Sequence, residues 1–393
     1  MSNMFDYLDW RADVPFSVAP FNDVDNLILA ELAYTKFEGI LDDTSDLSIE
    51  ELVEKFWEIH KQEDILAGDS YTRFAPLLMN KMANSNRFGS IRVKNYIDVV
   101  SVENSEQVAI LTFVLSDGTE YVAFRGTDDT IVGWKEDLYL SYKTGTNGQV
   151  RGKEYLNKYF KDRDVKLRVG GHSKGGNFAV YASLFADKEV REKIIAIYSN
   201  DGPGFRSEVL ASAQYQEMLP RIISIVPENS MVGFMMENQY NHKVVASSSK
   251  GIYQHDAFSW QVKSRDFDLL PERNEDSIIF EKVLTQWLEG VPYEERKIFA
   301  DSFFAFYEAT GKQTLTEARE ETKSIDFFYE NMSKMSESQI DLFFAIINKL
   351  IKSTSSTIST EIKFKLSRFV YIGKDKLKKG TKYLPKPGGK QNK

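Results

Sequence analysis

The sequence predicts an α/β fold, a mostly parallel sheet flanked by helices with a C-terminal helical extension. Three observations predict it. Buried-type strands at residues 165–169, 194–198 and 222–226 are separated by helical stretches, and such alternation needs right-handed crossovers between parallel strands. Residues 165–186 run as strand, glycine-rich turn and apolar helix without a break. Polar residues collect just past the strands, at the carboxyl ends where open α/β sheets carry their sites.

At 393 residues, 42% hydrophobic and 27% charged, the chain has the composition of a globular protein large enough for a sizeable core. The expected division is 1–268 for the α/β domain with an N-terminal helical segment, 269–351 for a helical region, and 352–393 for a linker and a basic, partly disordered tail. Cysteine is absent. This excludes a thiol nucleophile, disulfides and thiolate metal sites, and fits a reducing cytoplasm. The opening residues, MSNMFDYLDWRADVPF, lack the basic start and apolar run of a secretory signal, and no run of about 18 apolar residues follows. The expected location is cytoplasmic, with at most peripheral contact with membrane. The net charge of −8 is uneven: residues 361–393 hold eleven Lys/Arg against Glu361 and Asp375, leaving −17 for the rest. An acidic body argues against nucleic-acid binding.

Taken in order, residues 22–38 open with capping residues and space Leu27, Ile28, Leu32, Tyr34 and Phe37 as an amphipathic helix. Ser48 and Glu51 form a capping-box pattern for a helix through Phe56 and Ile59, with His60 at its end as a C-terminal cation. Residues 72–82, with Leu77, Leu78 and Met79, read as a cover for the sheet, while Tyr71 to Phe88 and the C-terminal helices are two candidate lids. Strands follow at 97–102, 108–115 and 121–124, the last two joined by Ser116-Asp117-Gly118, a hairpin signal. Residues 152–160 read as helix.

The glycine-rich turn is Gly170-Gly171-His172-Ser173-Lys174-Gly175-Gly176. In Gly171-x-Ser173-x-Gly175, small residues on both sides allow a tight backbone turn that holds the serine hydroxyl clear, and helix-starting amides face any charge developing there. Ser173 is therefore the candidate nucleophile. No Gly-Lys-Ser/Thr closes the loop, which disfavours Walker-type phosphate binding. Downstream lie Asp201, in Asn200-Asp201-Gly202-Pro203, then Glu228, in Pro227-Glu228-Asn229-Ser230, and then His255. A serine, then an acid, then a histidine is the chain order of one class of catalytic triad. His242 is a rival base, and His172, inside the turn, reads as a packing residue. Four histidines with no thiolate and no His-Glu-x-x-His pattern give no metal site, and no cofactor is expected.

Through Phe124-Arg125-Gly126-Thr127 and Gly171-His172-Ser173-Lys174-Gly175 the sequence resembles the α/β-hydrolases, in particular their class 3 lipase-like branch. It is more similar still to the bacterial Mbeg-like proteins, through Asp25-Asn26-Leu27-Ile28-Leu29, Trp134-Lys135-Glu136-Asp137-Leu138, Asn200-Asp201-Gly202-Pro203-Gly204-Phe205 and Gln254-His255-Asp256. The resemblance covers residues 1–265. It implies Ser173 as nucleophile, His255 as general base, and an oxyanion hole made by the amide and hydroxyl of Thr127 with the amide of Lys174. At the position where class 3 lipases carry their acid this chain has Glu228 and no aspartate, so Asp201, one strand earlier, is the first candidate for the acid and Glu228 the second.

Beyond Asp268 helices are expected at 278–288, 294–310 and 337–351, with Phe303, Phe304, Phe306 and Tyr307 as packing residues. Ser/Thr-rich 352–360 reads as a linker, and the lysines beyond it could touch anionic lipid. The function expected is a serine hydrolase of carboxylic or lipid esters, with no metal and no nucleic-acid partner; the other reading is an inactive hydrolase scaffold used for binding.

Overall fold

The computed structural model describes residues 2–67, 71–322 and 337–353. Contacts divide the chain between Glu281 and Lys282. The boundary lies past Asp268 because residues beyond it still belong to the sheet: Leu269–Leu270 pairs with a neighbouring strand, the Asn274 amide donates to the Glu228 carbonyl, and the Ser277 hydroxyl donates to the Ser230 carbonyl.

One mixed sheet of nine strands organises the first unit, its strands lying side by side in chain order. They are β1 (Asp46–Ser48), β2 (Arg92–Ser101), β3 (Glu106–Val114), β4 (Glu120–Phe124), β5 (Leu167–His172), β6 (Ile194–Asn200), β7 (Ile222–Pro227), β8 (His242–Val245) and, past the small hairpin of β9 (Val262–Lys263) and β10 (Asp266–Phe267), β11 (Leu269–Leu270). From β4 to β8 every pairing is parallel, and the pairings outside this block are antiparallel. This is the α/β sheet flanked by helices that the sequence predicts, with its amino-terminal meander joined at Ser116-Asp117-Gly118.

Period-two alternation sends side chains into two separate cores. Leu111, Phe113, Tyr121 and Ala123 face a layer made by α1 (Met4–Arg11), α2 (Asp23–Leu32), α3 (Ile49–Ile59) and α5 (Ala75–Ala83), which follows the short α4 (Gln62–Leu66). Ile110, Val122, Phe124, Leu167 and Val169 face α7 (Asn147–Phe160) and α8 (Lys174–Phe185), with α6 (Ile131–Leu140) beside them. Because both faces of β3 and β4 are covered, their sequences read as near-continuous apolar runs.

Local chemistry sets the helix ends. Asn22 caps α2 in a capping box with Asp25, Ser48 caps α3 with Glu51, and Thr146 caps α7 with Gln149. The helix expected to reach Glu38 stops at Leu32, since the next residues turn so that Tyr34 reaches the His172 carbonyl and Phe37 enters the core. Residues 75–83 cover the sheet as expected of 72–82: Leu78, Met79 and Met82 are fully buried in the same core as Leu111 and Phe113. His60 ends α3 and packs on Phe56.

In the second unit, the helices Tyr293–Glu308 and Glu337–Ser353 pack through stacked Phe299 and Phe343, with Phe304 and Phe344 buried. Most of the expected linker and the whole basic tail lie outside the described residues. No helix among the described residues is long and apolar enough to cross a membrane.

Candidate active site

Ser173 stands between β5 and α8 with φ +58° and ψ −134°. That region is costly for a residue with a Cβ, on the order of 1–3 kcal/mol, and the fold around it must hold it there. The two motif glycines show how. A Cβ at Gly171 would lie 2.5 Å from the Phe124 carbonyl oxygen, and one at Gly175 would lie 2.1 Å from the same atom. Only glycine lets the turn press this closely on the end of β4.

The turn leaves Ser173 half-buried, with its Oγ 3.0 Å from His255 Nε2. On the other side of the ring, His255 Nδ1 donates to Asp201 Oδ2 at 2.6 Å. Asp201 is fully buried just past β6, also at positive φ (+48°). Its other oxygen accepts from the Ser230 hydroxyl and, at 3.1 Å, from the Gly233 amide. The ends of β5 and β6 and the turn Gly251–His255 thus bring a hydroxyl, a carboxylate and an imidazole into one hydrogen-bonded line. A carboxylate on Nδ1 fixes the tautomer that leaves Nε2 free to accept the serine proton.

Of the two acid candidates, the structure sets Asp201 and not Glu228 against His255. Glu228 turns to Gln254, whose Nε2 donates to it at 3.3 Å. Its stretch still contributes, because Ser230 holds the buried acid. The rival base His242 is not at the site: its Nδ1 meets the Ser224 hydroxyl at 2.8 Å on the adjacent strand, and burial together with nearby Arg273 lowers its pKa to about 4.

The oxyanion side departs from the expectation in one respect. The Thr127 hydroxyl donates to Asp137 Oδ2 on α6, so its hydrogen is committed and only the backbone amide of Thr127 remains as a donor. Burial pushes the Asp137 pKa up to about 6 against the opposing pull of Lys174. Lys174 offers its amide as the first residue of α8, a position that no carbonyl of its own helix can satisfy. Its side chain is fully buried, donating to Gln107 Oε1 at 2.6 Å with Glu136 Oε2 3.4 Å away. Arg125 of the same loop is structural, forked onto Asp98 at 2.6 and 2.7 Å.

Several supporting residues escaped the sequence reading. Glu136 and Asp137 stood inside a quoted motif without a role, and Glu31 is the lone charge in the apolar run Leu27-Ile28-Leu29-Ala30-Glu31-Leu32 of α2. A charged residue on an otherwise buried helix was the signal available.

A family model described as Mbeg1-like matches residues 82–305. No curated protein matches the chain. Among solved structures, the chain is similar to the M37 lipase at 13% identity, over 55% of this chain and 70% of that one, with a TM-score of 0.34. It is similar to Rhizomucor miehei lipase in its native propeptide complex at 14% identity, over 60% and 89%, with a TM-score of 0.33. A fungal lipase in complex with an inhibitor stands at 13% identity, 52% and 82%, and 0.31. Likenesses of this size carry no argument about activity.

Proposed function

The chain belongs to the Mbeg1-like family, and we propose that it is a serine hydrolase of carboxylic or lipid esters acting through an acyl-enzyme on Ser173. One observation carries this reading: Ser173 Oγ, the His255 ring and Asp201 form a continuous line at 3.0 and 2.6 Å, with the serine only half-buried.

In the proposed reaction His255 Nε2 takes the Ser173 proton as Oγ bonds to the acyl carbon, and the carbonyl electrons move onto oxygen. The amides of Thr127 and Lys174 stabilise that oxyanion, each such donor contributing about 3–4 kcal/mol to catalysis in comparable sites. The intermediate collapses, the ester C–O bond breaks, and the leaving alcohol takes the proton from His255. Water then repeats the sequence and frees the acid, while Asp201 stabilises the transient imidazolium without itself being protonated.

The test is intact-mass detection of fluorophosphonate labelling of the full chain beside Ser173→Ala and His255→Ala. Labelling that both variants abolish supports an activated nucleophile. A folded wild-type chain that stays unlabelled overturns it in favour of a binding scaffold.

A further inference from the structure

His172 immediately precedes the proposed nucleophile, and its ring lies against that of the proposed base, with centroids 4.7 Å apart. Its Nε2 is 2.9 Å from the His255 carbonyl oxygen. The elbow and the short turn that carries His255, Gly251–His255, are therefore joined through one imidazole. On the far side Nδ1 lies 3.0 Å from Glu31 Oε1 and 3.3 Å from the Tyr34 hydroxyl, which also donates to the His172 carbonyl. Glu31 and His172 are both buried.

The chemistry of these neighbours constrains the ring. A backbone carbonyl can only accept, so Nε2 must carry a proton. A carboxylate on Nδ1 is compatible with that in two ways, as imidazolium beside carboxylate or as neutral imidazole beside a protonated carboxyl. In both, Nε2 donates to His255. Without an acid at position 31, a neutral His172 could place its single proton on Nδ1 instead and lose the bond to His255.

We propose that Glu31 and His172 are a positioning pair for His255: Glu31 fixes the protonation of His172, and His172 holds the backbone and ring of His255 in line with Ser173. This rests on the hydrolase reading. Burial opposes charge on His172, while the carboxylates of Glu31, Asp201 and Asp256 favour it, and the balance raises the His172 pKa above its ordinary value. Glu31 lies outside the matched residues 82–305, so the pair gives the N-terminal helical layer a part in the site. The physical lever is alignment: displacement of a reacting group by about 1 Å can cost on the order of 100-fold in rate.

The experiment is the second-order rate of fluorophosphonate labelling of Ser173 in the full chain, with thermal unfolding measured in parallel, for wild type, His172→Phe and His172→Gln. Phenylalanine keeps a ring against His255 without a donor; glutamine keeps a donor without the ring. The expected result is a loss of about 10- to 100-fold for His172→Phe and recovery to within about fivefold of wild type for His172→Gln. Equal rates for wild type and His172→Phe overturn the pair while leaving the hydrolase reading intact, as does a His172→Gln chain that is folded yet as slow as His172→Phe. A folded wild-type chain with no labelling overturns both. Should His172→Phe not fold, Glu31→Ala carries the test, with a loss of about three- to tenfold expected and an unchanged rate overturning the proposal.

Discussion

Asp201 and Glu228 show what distance in sequence conceals at the level of single residues. Both follow strands, both are acids, and only one has its carboxylate on His255 Nδ1. Replacement of Asp201 by Asn keeps the size but offers the wrong tautomer to the ring, and the expected effect is a 10²- to 10⁴-fold slower labelling of Ser173. Glu228→Gln should stay within about twofold, since Glu228 touches Gln254 instead. Rates that fall equally in both variants would remove Asp201 from its proposed role. Of the site residues, Ser173 and His255 were legible in sequence because their motifs are local. Asp201 was legible as the first of two candidates for the acid, and the choice between it and Glu228 needed the tertiary structure, because which strand end faces His255 is set by sheet order.

At the level of elements, α6 braces the side of the site proposed to hold the oxyanion. Glu136 accepts from the Gln107 amide at 2.9 Å and the Gly148 amide at 2.8 Å and faces Lys174, while Asp137 takes the Thr127 hydroxyl. One turn of helix thereby ties β3, α7, α8 and the loop after β4 together. Nothing in the periodicity of residues 131–140 announced that helix, since its buried face is partly charged and its value lies in pairing rather than in apolar area. The raised Asp137 pKa has a consequence for stability. The folded state holds that proton more tightly than the unfolded chain, so the contribution is complete below the unfolded value near 3.8 and is lost as pH rises through about 6. Between pH 4 and pH 7 wild type should therefore lose about 2–3 kcal/mol relative to Asp137→Asn, read from urea midpoints. A flat difference across that window would show that Asp137 titrates as an ordinary surface carboxyl.

For the molecule as a whole, charge is segregated along the chain. Eleven Lys/Arg in residues 361–393 oppose an acidic remainder, and each basic residue near an anionic bilayer contributes roughly 1 kcal/mol. The expected outcome is that the full chain co-sediments with phosphatidylserine vesicles at low salt and that protein cut before Glu361 does not; equal sedimentation would remove the tail from membrane contact. The sequence by itself determined the α/β class, the elbow at Ser173, the hairpin at Ser116-Asp117-Gly118 and the helix caps at Asn22 and Ser48, because each is written in neighbours a few residues apart. Only the tertiary structure decided that Asp201 meets His255, that the Thr127 hydroxyl turns to Asp137, and that Glu31 reaches His172 from α2, far earlier in the chain. Those pairings depend on which strand lies beside which and on buried polar groups finding partners across the sheet, a condition that no local pattern encodes.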